Sequence, residues 1–123
     1  MTALSTAATV PQLTIEGCVA TITLNRPAQR NRLENQDLQT LLAHFDRIEA
    51  DPSVRVLVLT ANTAGQPKPV FCAGYDIGGF DETAHGSTAF EKIPDRLAGL
   101  RPVTLCALNG SVYGGATDLV LAC

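Results

Sequence analysis

The chain has 123 residues, of which 46% are hydrophobic, 5% aromatic and 17% charged, a composition that fits one ordinary globular domain and excludes intrinsic disorder and collagen-like repetition. A formal net charge of −3 argues against a phosphate-backbone partner, which needs a clustered basic face. No apolar run approaches the roughly 18–20 residues that span a bilayer, so neither nucleic acid nor membrane is an expected partner.

Residues 1–9 read as a loose, flexible arm, rich in Ala, Thr and Ser. The first ten residues hold no Lys or Arg, so they lack the basic start of a secretory signal and the Arg of a mitochondrial presequence; a cytoplasmic location is expected. A weak alternation from Val10 to Glu16, a break at Gly17 and the run Cys18 to Leu24 predict two antiparallel strands. Asn25-Arg26-Pro27 closes the second, because Pro27 has no amide hydrogen and restricts Arg26.

Leu38, Leu41, Leu42, Phe45 and Ile48 lie on one stripe of a helix, with Asn35 as the expected N-cap and Asp37 near the positive end of the dipole. Asp51-Pro52 ends that helix, and Val54 to Thr60 predicts a strand covered on both faces. A polar loop from Asn62 to Pro69 leads into a short apolar segment, Val70 to Gly74, and residues 78–86 read as a surface loop. Thr88-x-x-Glu91 is a possible capping box for a helix reaching Leu100, with Phe90, Ile93, Leu97 and Leu100 inward and a kink or division at Pro94. Val103 to Leu108 predicts another buried strand, Asn109-Gly110 a turn, and Gly114 onward a helix. The order β-β-α-β-β-α-β-α makes an α/β chain, with residues 10–123 as its folded part.

The four cysteines, Cys18, Cys72, Cys106 and Cys123, form no close pair, so they suit buried free thiols better than a zinc site or a disulfide framework. His44 and His85 have no partner motif and suit solvated or capping roles.

Chemistry concentrates at two glycine-containing junctions after strands, Phe71 to Ile77 and Asn109 to Leu119. Glycine there lets a substrate approach the backbone. A helix beginning near Gly114 offers unpaired amides to a developing negative charge, and Asp118, three residues after Gly115, lies near the same face. A carboxylate beside an anion-stabilising amide suits acid/base chemistry next to a carbonyl. The plainer alternative is that the glycines are packing devices and Asp118 a dipole partner.

At these junctions the sequence resembles the crotonase superfamily, the enoyl-CoA hydratase/isomerase family. Three segments carry the resemblance in the family's order: Leu24-Asn-Arg-Pro-Ala-Gln-Arg-Asn31, Phe71-Cys-Ala-Gly-Tyr-Asp-Ile77 and Ala107-Leu-Asn-Gly-Ser-Val-Tyr-Gly-Gly-Ala-Thr-Asp-Leu119. The resemblance implies a crotonase-like fold, a spiral of ββα repeats, incomplete at the C-terminus. It implies that the amides of Tyr75 and Gly115 grip a thioester oxygen, that Ala73, Gly74, Tyr75 and Asp76 line the acyl-CoA site, and that Asp118 is the acid/base. Arg26 and Arg30 are candidates for CoA phosphates, with solvated or ion-paired roles as the alternative. No cofactor is implied beyond the coenzyme A of the substrate, and the complete protein is expected to be a homotrimer or hexamer.

Three departures qualify the match. Asp118 stands where hydratases carry Glu, and with Leu119-Val-Leu-Ala-Cys123 it looks more like the dienoyl-CoA isomerase branch. Ala116 replaces a common third glycine, and the second glutamate of hydratases would lie beyond Cys123. An acyl-CoA hydrolase, or an inactive CoA-binding fragment, is a further alternative. The last helix has no C-cap, so the chain is expected to be the N-terminal portion of a larger catalytic domain.

Overall fold

The computed structural model describes residues 9–75 and 86–123, apart from the side chains of 86–88. The expected arm therefore falls outside the described residues except for Thr9, and so do most of the loop at 78–86, His85 and Asp76.

The chain opens with two antiparallel strands, β1 (Gln12–Glu16) and β2 (Val19–Leu24), as their alternation predicts. Gly17 makes the turn at φ +59°, a conformation that suits glycine. A 3-10 turn at Pro27–Gln29 leads to α1 (Asn35–Ala50), then β3 (Val56–Ala61) and β4 (Val70–Cys72). Helix α2 (Gly86–Ala98), β5 (Val103–Cys106), β6 (Ser111–Val112) and α3 (Ala116–Leu121) complete the order.

Two sheets result, one ordered β1-β2-β3-β5 and one formed by β4 and β6. Parallel pairing joins β2 to β3, β3 to β5, and β4 to β6. Ile22 and Leu57 of the larger sheet are buried with Leu41, Phe45 and Ile48 of α1, where loss of apolar surface to water supplies the main driving force. Helix α2 buries Phe90, Ile93 and Leu97, and α3 buries Ala116 and Leu119. An exposed Arg96–Asp46 ion pair at 2.7 Å links α2 to α1. Arg101 donates to the carbonyls of Ile48 and Asp51, placing a cation at the negative end of α1.

Several expectations are corrected. The N-cap of α1 is Glu34, not Asn35, because the Asp37 carboxylate accepts the Glu34 amide at 2.8 Å. Helix α2 starts at Gly86, before Thr88, and stops at Ala98, short of Leu100; it runs through Pro94. Strand β3 is covered fully on one face and only half on the other. Strand β5 is not buried: Val103 and Leu105 are 62% and 52% exposed, because their side chains stand on a sheet face that no described element packs over. Cys18 is an exposed thiol rather than a buried one, since it sits in the β1–β2 turn. The run after Asn109 does not announce the short β6, since two residues are too few to show a period.

Candidate active site

The β4–β6 pairing brings the two glycine junctions together. Tyr113 donates its amide to the Cys72 carbonyl at 3.2 Å, so the chain leaving β4 and the chain leaving β6 emerge side by side. Gly74 has φ +99°, and a β-carbon placed there would stand 3.0 Å from the Tyr113 carbonyl oxygen and 3.6 Å from the Gly115 nitrogen. A side chain at position 74 would thus fill the space in front of the Gly115 amide. Among the described residues, neither the Gly115 amide nor the Tyr75 amide donates to any group.

An aromatic pair covers this junction. The Tyr75 ring stacks on Phe90 of α2 at 5.7 Å between centroids, and the Tyr75 phenol donates to the Asn35 side-chain oxygen. Phe90 also fits against Gly115 so closely that a β-carbon there would lie 2.7 Å from its ring. Glycine at 115 therefore lets the Phe90 ring sit close without shifting, and its backbone angle, helical at φ −61°, does not itself call for glycine.

Asp118 is exposed in the first turn of α3 and lines a cavity of about 420 Å³ with Phe90, Glu91, Pro94 and Asp95. The carboxylate expected from the sequence thus opens on a cavity whose wall includes the ring that packs on Gly115. Sequence alone does not mark Phe90, Glu91 and Asp95 as site residues. Phe90 sits in an ordinary apolar stripe, and the two acids look like any solvated helix face.

The two arginines separate. Arg30 is exposed, with its guanidinium 5.6 Å from the centre of the Tyr113 ring. Arg26 is only 8% exposed, and its Nε bonds the Asp37 carboxylate at 2.8 Å, so the ion-paired alternative describes it. Ala73 and Gly74 are held by the turn at 25–34: Ala73 donates to the Arg30 carbonyl at 3.0 Å, and Gly74 accepts from the Leu33 amide at 2.8 Å. Asp76 lies outside the described residues. His44 bonds the Pro11 carbonyl oxygen at 2.8 Å, away from these junctions in sequence.

Cys72, fully buried beneath the junction, receives the Gly74 amide on Sγ at 3.4 Å. Burial pushes its thiol up to about 11, outweighing that hydrogen bond, and the Asp37 charge adds to the rise. The unfolded chain, with an ordinary value of 9.0, loses this proton first as pH rises. Stability is therefore fully present below pH 9 and falls between about 9 and 11, by at most roughly 1.4 kcal/mol per pH unit from this group. Urea midpoints measured across that window should fall less steeply for Cys72→Ala than for the unaltered protein.

Among the described residues no cluster of His, Cys, Asp or Glu could hold a metal ion, and no helix is long and apolar enough to cross a membrane.

Comparison with known proteins places this chain in a family. The family model for enoyl-CoA hydratase/isomerase matches residues 14–123. A putative enoyl-CoA hydratase of Thermus thermophilus is 34% identical over 116 residues, which are 88% of this chain and 44% of the relative. The 2,3-dehydroadipyl-CoA hydratase of Escherichia coli is 32% identical over 108 residues, 85% of this chain and 40% of that protein. The crystal structure of an enoyl-CoA hydratase from Bacillus anthracis superposes with a TM-score of 0.81 at 31% identity, covering 92% of this chain and 45% of that one. A methylmalonyl-CoA decarboxylase, at 22% identity and a TM-score of 0.78, shares the fold. The chain therefore spans less than half the length of these relatives and has the crotonase fold over that span. With three motifs in order, the matched fold and the model match over nearly its whole length, the chain belongs to the enoyl-CoA hydratase/isomerase family.

Proposed function

We propose that this chain supplies the oxyanion-binding part of an enzyme that acts on an acyl-CoA thioester. The observation that carries this reading is the meeting of Gly74 and Gly115, with the Tyr75 and Gly115 amides donating to no described residue. Two unpaired backbone donors on adjoining segments suit a thioester oxygen that gains charge as an enolate forms, and each such donor is typically worth about 3–4 kcal/mol of barrier. Backbone donors are fixed by the fold, so they need no reorganisation when the charge appears.

Asp118, on the cavity beside Phe90, is the proposed acid/base group. Ala73, Gly74 and Tyr75 are the proposed lining of the acyl-CoA path, and exposed Arg30 is the proposed phosphate contact. Arg26 is withdrawn from that role by its buried ion pair. Coenzyme A enters as part of the substrate; a cytoplasmic homotrimer or hexamer is the assembly this reading implies. A second reading, double-bond isomerisation of a dienoyl-CoA, is favoured by the resemblance of the segment from Asp118 to Cys123 to the dienoyl-CoA isomerase branch. A turnover screen of the full-length protein against crotonyl-CoA, a dienoyl-CoA and a 3-hydroxyacyl-CoA decides between them. Turnover of crotonyl-CoA supports hydration, turnover of the dienoyl ester alone supports isomerisation, and none with any thioester refutes the enzymatic reading.

A further inference from the structure

The turn between β2 and α1 performs a task that its sequence does not advertise. Its carbonyl at Arg30 and its amide at Leu33 are the two groups that hold Ala73 and Gly74, and Leu33 forms a parallel bridge with Tyr75. Its own conformation is costly: Arg30 and Asn31, neither of them glycine, are consecutive left-handed residues at φ 57° and 55°. Such a pair persists only where the surroundings over-determine it. Asn31 does part of this, accepting the Arg26 amide at 2.8 Å and donating to the carbonyls of Asn62 and Val70 at 2.9 and 3.1 Å. A further restraint closes the two ends of the turn on each other. Arg26, at its start, bonds Asp37 in the first turn of α1, and the same Asp37 oxygen accepts the Glu34 amide.

Both partners are buried, at 8% and 1% exposure, where an ion pair contributes little net stability because both charges lose their hydration. Asp37 Oδ1 has no hydrogen-bond partner among the described residues, which leaves Oδ2 to make the turn's contacts. A pair that stabilises little and yet fixes both ends of a strained turn acts by setting geometry.

We infer that the buried Arg26–Asp37 pair is a positioning device: it clasps the turn at 25–34, which in turn sets the Ala73–Tyr75 backbone and so the aim of the Tyr75 amide. This rests on the oxyanion reading for its consequence in catalysis, but not for the clasp itself. The test uses Asp37→Asn, which keeps the volume and removes the charge, and Arg26→Lys, which keeps the charge and removes Nε, in the full-length protein. Amide hydrogen exchange without ligand should show protection falling by about tenfold or more further at Leu33 and Ala73 than at Leu57 and Leu59 of β3, whose loss reads the global cost of leaving a buried charge unpaired. With a bound acyl-CoA ester, the infrared shift of the thioester carbonyl should shrink and kcat should fall with KM unchanged. Unchanged protection at Leu33 and Ala73, or a uniform loss that includes β3, overturns the inference. If protection falls locally but the unaltered protein does not shift the thioester carbonyl, the clasp stands and the oxyanion reading falls.

Discussion

Asp118→Asn in the full-length protein is expected to cut turnover by about 10²–10⁴-fold, the usual contribution of a positioned proton-transfer group, while affinity for the CoA ester survives. The substitution keeps shape and removes the charge and with it the ability to take a proton. It spares the fold, because Asp118 is exposed and its backbone bonds to Gly115 and Ala122 belong to the main chain. The companion variant is Glu91→Gln, since Glu91 reaches the same cavity from α2. Steady-state kinetics of both variants identify the acting carboxylate. Loss in Asp118→Asn alone supports the assignment; loss in Glu91→Gln with an active Asp118→Asn moves the acid/base role to α2.

Gly115→Pro is expected to lower kcat by about 10²–10³-fold relative to Gly115→Ala, the effect of deleting one oxyanion donor. The comparison works because both variants add the same β-carbon, which meets the Phe90 ring at 2.7 Å, and only proline removes the N–H. Proline matches the φ of −61° at position 115 itself, so its ring fits that residue's own backbone angle. The infrared shift of a bound thioester carbonyl reads the donor directly, and it should persist in the alanine variant and be lost in the proline variant. Equal shifts and equal kcat in the two variants would remove the Gly115 amide from the oxyanion site.

Much of the fold could be read before any coordinates. The stripe through Leu38, Leu41, Phe45 and Ile48 is buried as its spacing requires, because that spacing is a direct consequence of helix geometry. Gly17 marks the β1–β2 turn for an equally local reason. What the sequence misjudged depends on neighbours. Val103 and Leu105 look like core residues, but no described element packs over their side of the sheet. Arg26 illustrates the same limit at the site. A surface cation and a buried one are written with the same letter, and only the approach of α1 brings Asp37 to within 2.8 Å of it.

Composition and patterning alone determined an α/β chain of about the observed elements, and three ordered motifs pointed to an acyl-CoA family to which the chain does belong. Those features are local, since periodicity, turn residues and motif order are properties of the chain itself. Tertiary structure decided that Gly74 and Gly115 meet, that Phe90 walls the junction, and that Arg26 faces inward. Each is a contact between separate elements that no local pattern encodes: the pairing of β4 with β6 brings the glycines together, the packing of α2 on α3 places Phe90, and the approach of α1 brings Asp37 to Arg26.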